Sequence, residues 1–152
     1  ANFTLMVLLI NAESGYSSSQ HNYASLHNAE PGSVNYNLFP QDEATFIKWT
    51  YKAAAQKEPR ALFNLAIRMY GEYNVDGITT NPETAYMIMA YIKNSYSGDK
   101  RLPKGMFTYI DGALTTISKK IGINKTKELN ATFKQFDFSK LNSGFDIKQE
   151  KV

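Results

Sequence analysis

Residues 42–70, DEATFIKWTYKAAAQKEPRALFNLAIRMY, predict two successive amphipathic helices. The stretch opens with two acidic residues, which suit a helix N-terminus because they face the positive end of the helix dipole. Apolar side chains then recur three and four positions apart, a spacing that gathers them on one helix face. Pro59 fits the rigid first position of the second helix, and Gly71 interrupts it. We therefore expect helices over 42–57 and 59–70.

The same start and stop signals recur on both sides of this stretch. Asn81 followed by Pro82 resembles the capped start of another helix. The further predicted helices cover 3–14, 17–28, 82–95, 103–121 and a segment that begins with Asn124 as its cap. Residues 30–40 contain two prolines and a glycine and are predicted to be a loop. About seven helices and no alternating strand pattern predict an all-α protein.

Beyond Asp137 the helical pattern weakens to a tail. Four apolar residues of the tail are expected to strap it onto the body: Phe138, Leu141, Phe145 and Ile147.

An internal repeat appears when the sequence is laid on itself. A shift of 42 residues places Val7 on Trp49, Ala12 on Ala54 and Ala24 on Ala66, and a shift of 39 places Trp49 on Ile88, Ala66 on Gly105 and Tyr70 on Tyr109. A period near 40 residues is typical of stacked helical hairpins. Small residues at matching positions let neighbouring helices approach closely, and we expect Ala24, Ala66 and Gly105 to have this role.

The repeat predicts an α/α solenoid of about three antiparallel helical hairpins with a C-terminal capping helix. The whole chain, residues 1–152, is expected to form a single domain. Its repeat-like units are placed at approximately 1–40, 41–80 and 81–122, and 123–152 is the C-terminal cap and tail.

Two stretches share a recognisable pattern of residues: WTYKAAAQK at 49–57 and ALFNLAIRMYGEYNVDGITTNPETA at 61–85. They resemble Sel1-like repeats, a family related to the tetratricopeptide repeats. The residues that fit the family pattern are Trp49, Lys52, Ala53, Ala54, Asn64, Leu65, Ala66, Val75 and Ala85, and AESG at 12–15 resembles the end of the pattern. Departures include Lys57 in place of the terminal glycine, Met69 and His27 in place of a tyrosine, Glu72 and Asn74 in place of loop glycines, and Ile88 in place of the tryptophan.

This resemblance implies a protein–protein interaction module. Sel1-like proteins serve as adaptors in signalling and protein quality control, and short bacterial members include periplasmic immunity proteins. The resemblance therefore favours a bacterial immunity or inhibitor protein that binds and neutralises a secreted toxin. It also favours the bacterial periplasm over the cytoplasm.

Tyrosines are the most suggestive candidates for contact with a protein partner, because they combine a large, fairly rigid surface with a polar tip. The predicted partner-binding residues are Tyr51, Tyr70, Tyr73, Asp76, Tyr91 and Tyr109.

Catalytic, metal and cofactor motifs are missing from the sequence. Cysteine is absent, and His21 and His27 lie six residues apart, which does not place them on one helix face. No glycine-rich phosphate loop or nucleophile elbow occurs. We therefore expect no catalytic residues, no metal and no cofactor. Two alternatives stay open: an enzyme on a helical scaffold, hydrolase-like, with Asp76, Asp111 or His27 in a cleft, and a fragment of a larger adaptor repeat array.

Charge is unevenly distributed along the chain. Residues 1–92 carry five basic and eight acidic groups, whereas residues 93–152 carry twelve basic and six acidic groups. The basic residues are mostly scattered lysines, which indicates a solvated face rather than a nucleic-acid site. The longest apolar run, residues 3–10, is too short for a bilayer span, so no membrane insertion is expected.

Overall fold

The computed structural model describes residues 2–29, 31–71, 78 and 80–141. Every regular element in this part of the chain is helical, which confirms the all-α prediction. The α-helices are α1 (Asn2–Glu13), α2 (Ser17–Leu26), α3 (Val34–Leu38), α4 (Glu43–Ala55), α5 (Pro59–Met69), α6 (Pro82–Tyr96), α7 (Lys104–Ile121) and α8 (Ile123–Thr132). Two 3₁₀ turns follow, at Phe133–Gln135 and Phe138–Lys140. Among the described helices, none is both long enough and apolar enough to cross a bilayer.

Side-chain caps explain where the central helices begin. The Asp42 carboxylate accepts hydrogen bonds from the backbone N–H groups of Ala44 (3.1 Å) and Thr45 (3.4 Å) at the start of α4. At the start of α6 the Asn81 side chain accepts a bond from the N–H of Thr84 at 3.1 Å. These caps satisfy backbone donors that have no partner within the helix. The predicted helix starts at 42 and 82 are therefore confirmed.

Two local predictions are wrong. The stretch 30–40 was expected to be a loop, yet it contains α3, whose first turn is capped by the Ser33 hydroxyl. The last α-helix begins at Ile123 rather than after an Asn124 cap. Gly122 ends α7 with φ 91°, a left-handed conformation that glycine adopts without steric cost, and the chain turns there into α8.

The helices pack largely in chain order. Contacts join α1 to α2, α2 to α4, α4 to α5, α5 to α6, α6 to α7, and α7 to α8. One hydrophobic cluster runs through these interfaces, from Ala12 in α1 to Phe138 near the end of the described chain. After α8 the chain turns back toward the earlier helices. The first 3₁₀ turn packs on α6 and the second packs on α4.

Positions 42 residues apart share their environment in α1–α2 and α4–α5. Ala12 and Ala54 are both buried, and so are Ala24 and Ala66. Gly15 (φ 100°) and Lys57 (φ 66°), also 42 residues apart, both adopt left-handed backbone conformations. A non-glycine residue in that conformation costs about 1 kcal/mol. The equivalent turns thus keep one backbone shape although only one of them has glycine.

Gly105 does not share the buried environment of Ala66, the residue to which the 39-residue shift matches it. Gly105 lies exposed in the first turn of α7, and a Cβ added there would meet no atom within 4 Å. The reason is that α7 begins later than the 39-residue shift requires, so that its buried side chains are Ile110, Ala113 and Ile117. Gly105 is therefore not a point of close helix approach.

Substitutions at two of these small residues should have opposite effects. Ala66→Leu adds bulk where Ala66 is fully buried, so we expect the free energy of unfolding to fall by about 1–3 kcal/mol. Gly105→Ala, which meets open space in a helix, should raise it by a few tenths to about 1 kcal/mol. Urea unfolding followed by circular dichroism measures both. Equal tolerance of the two substitutions would contradict the assigned packing.

Candidate functional site

The predicted partner-binding tyrosines do not form one surface. Tyr51 on α4 is 5% exposed, and burial raises the pKa of its hydroxyl. Tyr91 on α6 is half-buried. Tyr109 on α7 packs edge-on against Phe63 of α5, with ring centroids 5.5 Å apart. Tyr70, at the end of α5, packs against the hydrophobic core.

Tyr73 and Asp76, the other two predicted residues, lie outside the described part of the chain.

Tyr51 and Tyr91 belong to one feature, which we call the aromatic groove. It is the space between α4 and α6, both of which pack on α5. The C-terminal segment, residues 133–141, lies in this groove. Tyr91 contacts Phe138 of the segment, and Tyr51 lines a cleft together with Phe136. The structure thus brings together two of the six predicted residues and fills the space between them with the chain's own aromatic side chains.

Phe138 is the main anchor of the C-terminal segment. Its side chain is 2% exposed, and its ring centroid lies 4.6 Å from that of Tyr91 and 4.9 Å from that of Phe136. The Lys57 ammonium lies 6.0 Å from the Tyr91 ring centroid and 5.9 Å from that of Phe138. Tyr96 donates its hydroxyl to the Lys57 carbonyl at 3.0 Å. Together these contacts fix the segment against the turn between α4 and α5.

Two side chains near the groove, Tyr96 and Asp137, have shifted pKa values. Burial, followed by the neighbouring Tyr91, raises the pKa of Tyr96 to about 12, so its hydroxyl stays protonated. The pKa of Asp137 is lowered, first by the Ser139 hydroxyl and N–H and then by Lys140 and Lys57. The exposed Asp137 carboxylate thus caps the second 3₁₀ turn, which carries the buried Phe138.

An open cleft of about 520 Å³ adjoins the C-terminal segment. Its walls combine groups of the helix stack with groups of the segment: Tyr51, Met69, Asn81, Thr84, Gln135, Phe136, Asp137, Lys140 and Leu141. The segment therefore occupies only part of the space between these elements.

A second cleft, of about 500 Å³, lies where α6, α7 and α8 meet. Tyr86 donates its hydroxyl to the Asn130 side-chain oxygen at 2.7 Å in its wall. Lys93, which also lines it, forms an ion pair with Asp111 at 2.7 Å. Tyr86, Asn130 and Lys93 thus already have partners within the chain.

A third and smaller cleft, of about 180 Å³, lies between the turns that precede α5 and α7. Each turn supplies an ion pair, Arg60 with Glu58 at 2.9 Å and Arg101 with Asp99 at 2.8 Å. The side-chain hydrogen bond from Arg101 holds the pKa of Asp99 at about 2. Because each arginine is neutralised by a carboxylate two residues earlier, the cleft carries little net charge.

His21 in α2 is buried near the Arg60–Glu58 ion pair. Its pKa is lowered to about 4, mainly by burial and then by Arg60, against the opposing effect of Glu58. The imidazole is therefore neutral at pH 7.

The acids and the histidine considered for catalysis have separate neighbours. Asp111 is exposed and pairs with Lys93, whereas the His27 Nδ1 atom donates to the Pro40 carbonyl at 3.0 Å. Neither lines any of the three clefts. Asp76 lies outside the described residues, within which no cluster of three or more potential metal ligands occurs.

An apolar stripe is exposed on α1. It consists of Phe3 (79% exposed), Met6 (60%), Val7 (41%) and Ile10 (56%). The 42-residue equivalent of Val7 is Trp49, which is buried and packs edge-on against Tyr23 of the earlier helix α2. The equivalents of Met6 and Ile10 are the half-buried Lys48 and the exposed Lys52, so the correspondence does not extend to these two residues.

Three residues of the groove were missed as site candidates: Lys57, Phe136 and Phe138. The spacing of phenylalanines at 133, 136 and 138 was a visible signal, and Phe138 and Leu141 were expected to strap the tail. Phe138 is buried and Leu141 packs against the core, while Phe145 and Ile147 lie outside the described residues. The position of the strap across α4 and α6 had no signal in the sequence.

No family model matches this chain, and neither does any curated protein or solved structure.

Stability should depend on pH through His21. Unfolded histidine has a pKa near 6.5, whereas folded His21 has one of about 4, so the unfolded state binds more protons between these values. His21 thus stabilises the fold above pH 6.5 and loses that contribution as the pH falls to 4. Between pH 7 and pH 5 we expect a loss of about 2 kcal/mol that His21→Gln does not show. Urea unfolding at both pH values measures it, and the same loss in the variant would contradict the assignment.

Proposed function

We propose that this protein is a protein-binding module of the Sel1-like repeat type. In this proposal its helices form a solenoid of about three antiparallel hairpins with a C-terminal cap, and the exposed surface of the solenoid binds another protein. The observation that carries the proposal is the packing of helices in chain order, with matched buried alanines 42 residues apart.

The turns between helices support the same repeat. Gly15 and Lys57 share a left-handed backbone, and Lys57 stands where the family pattern has its terminal glycine. A glycine-type turn at equivalent points gives successive hairpins the same entry angle. In this proposal α1–α2 and α4–α5 are successive units that stack with a similar step, as in a solenoid.

The aromatic groove supports a binding role. It accepts an irregular segment of chain by burying one aromatic side chain, Phe138, between helices. Grooves between helices that hold peptide segments through a few anchor side chains are a common mode of protein recognition. An open cleft of about 520 Å³ beside the segment leaves room for further contacts.

The specific form of the proposal is a bacterial immunity or inhibitor protein that neutralises a secreted toxin, acting in the periplasm. It rests on the likeness of residues 49–57 and 61–85 to the Sel1-like pattern.

A second candidate is favoured by the apolar stripe on α1. Val7 is exposed at the position where its equivalent, Trp49, packs on an earlier helix. In a larger adaptor array, another helical repeat would cover this stripe. The double substitution Met6→Lys/Ile10→Lys separates the two candidates. In an adaptor unit it should weaken the packing of the neighbouring repeat on α1. Binding of a partner through the aromatic groove should stay unchanged.

Affinity purification with the full chain, followed by mass spectrometry and binding measurements with the purified partner, tests the leading proposal. We expect a single protein that binds with a Kd below about 1 µM, in the range of specific complexes. When the captured partner is expressed alone it should inhibit growth, and coexpression with this chain should restore growth.

The test variant is Tyr91→Ala, which removes a groove side chain. Its matched control is Tyr16→Ala, which truncates an exposed tyrosine on the loop before α2. Only the first should weaken binding. Failure to retain any protein, together with turnover of a small molecule, would overturn the proposal.

A further inference from the structure

We propose that the C-terminal segment is an internal ligand of the aromatic groove, and that the external ligand is a partner segment in which two aromatic residues flank one acidic residue. The internal example is Phe136, Asp137 and Phe138. This inference rests on the proposed function and specifies what the groove recognises.

The first argument is the way the segment is held. It does not extend α8 but forms two short 3₁₀ turns, and these pack on α6 and on α4. Its deepest contact is the Phe138 side chain, whose ring meets Tyr91 at 4.6 Å. A short segment anchored by single side chains across two helices is bound in the manner of a peptide ligand.

The second argument is Lys57. This lysine occupies a left-handed position where its 42-residue equivalent is Gly15, so the turn itself does not require a side chain. The side chain instead reaches the rings of Tyr91 and Phe138 at about 6 Å, a distance at which an ammonium is attracted to an aromatic face. The exposed Asp137 carboxylate instead accepts a hydrogen bond from the Ser139 N–H at 3.0 Å and so caps the turn that carries Phe138. Lys57 therefore favours an aromatic ligand, and the acidic residue of the ligand holds the turn that presents its buried ring.

The third argument is the unfilled space beside the segment. The adjoining cleft of about 520 Å³ has walls from Tyr51, Asn81 and Thr84 of the helix stack. A partner segment with the same aromatic anchors could extend into this cleft and bury more surface than the internal segment does. Such a ligand can displace the segment, and its apparent affinity is reduced by the fraction of chains in which the groove is closed.

The experiment uses the full chain and a fluorescein-labelled peptide, ATFKQFDFSKL, which copies residues 131–141. The variant Phe136→Ala/Phe138→Ala removes the internal anchors and leaves the groove residues of α4 and α6 unchanged. We expect fluorescence anisotropy to show at least tenfold tighter peptide binding to this variant than to the unmodified chain. Adding Lys57→Gly should abolish most of the gain, whereas Lys57→Arg, which keeps the cation, should preserve it.

Two peptide controls test the chemistry of the ligand. A peptide with both equivalents of Phe136 and Phe138 replaced by alanine should not bind. A peptide with Asp137→Lys should bind at least fivefold more weakly than the original. Equal binding of all three peptides to the opened variant would overturn the inference, and so would the absence of binding to a variant whose circular dichroism shows that it is folded.

A second measurement covers the case in which loss of Phe138 unfolds the chain. Amide hydrogen exchange of the unmodified chain, with and without a large excess of peptide, should show faster exchange at residues 133–141 when peptide is present. Unchanged exchange at peptide saturation would contradict displacement. None of these readouts requires the natural partner, so the inference and the proposed function can fail separately: a partner whose binding depends on Tyr91 but not on Lys57 refutes only the inference.

Discussion

Close approach of successive helices at small buried side chains is the constraint on which the rest of the structure depends. Ala12, Ala24, Ala54 and Ala66 all lie at or near zero exposure, and their helices α1, α2, α4 and α5 pack on one another in that order. A larger side chain at these points would separate the helix axes. Because α4 and α6 both pack on α5, a groove remains between them, and its depth follows from how closely the helices approach.

The C-terminal segment uses this groove in a way that combines packing and charge. Phe138 contributes buried aromatic surface, and Lys57 contributes a cation beside two rings. Lys57 does so from a backbone conformation that glycine would adopt more easily. The backbone cost at Lys57 is therefore offset by contacts that a glycine could not make, which links a local departure from the repeat pattern to the surface feature it supports.

Much of the fold could be predicted from the sequence because its signals are local. Acidic caps, Pro59 and Pro82, and apolar residues three and four apart locate α4, α5 and α6 closely. The short helix α3 was missed because prolines and a glycine around it indicate a loop, while Ser33 supplies a cap that depends on local geometry. Gly105 was misassigned because the repeat shift does not hold into α7, whose first turn is exposed.

The candidate site was harder to predict than the fold. Tyr51 and Tyr91 were chosen for their residue type, but their meeting in one groove, and its occupation by Phe136 and Phe138, result from a return of the chain between positions more than 40 residues apart. Nuclear Overhauser contacts measured in solution test this return most directly. The account predicts contacts from the Phe138 ring protons to the Tyr91 ring and to the Lys57 side chain. Contacts from Phe138 to α7 alone, with none to Tyr91 or Lys57, would contradict it.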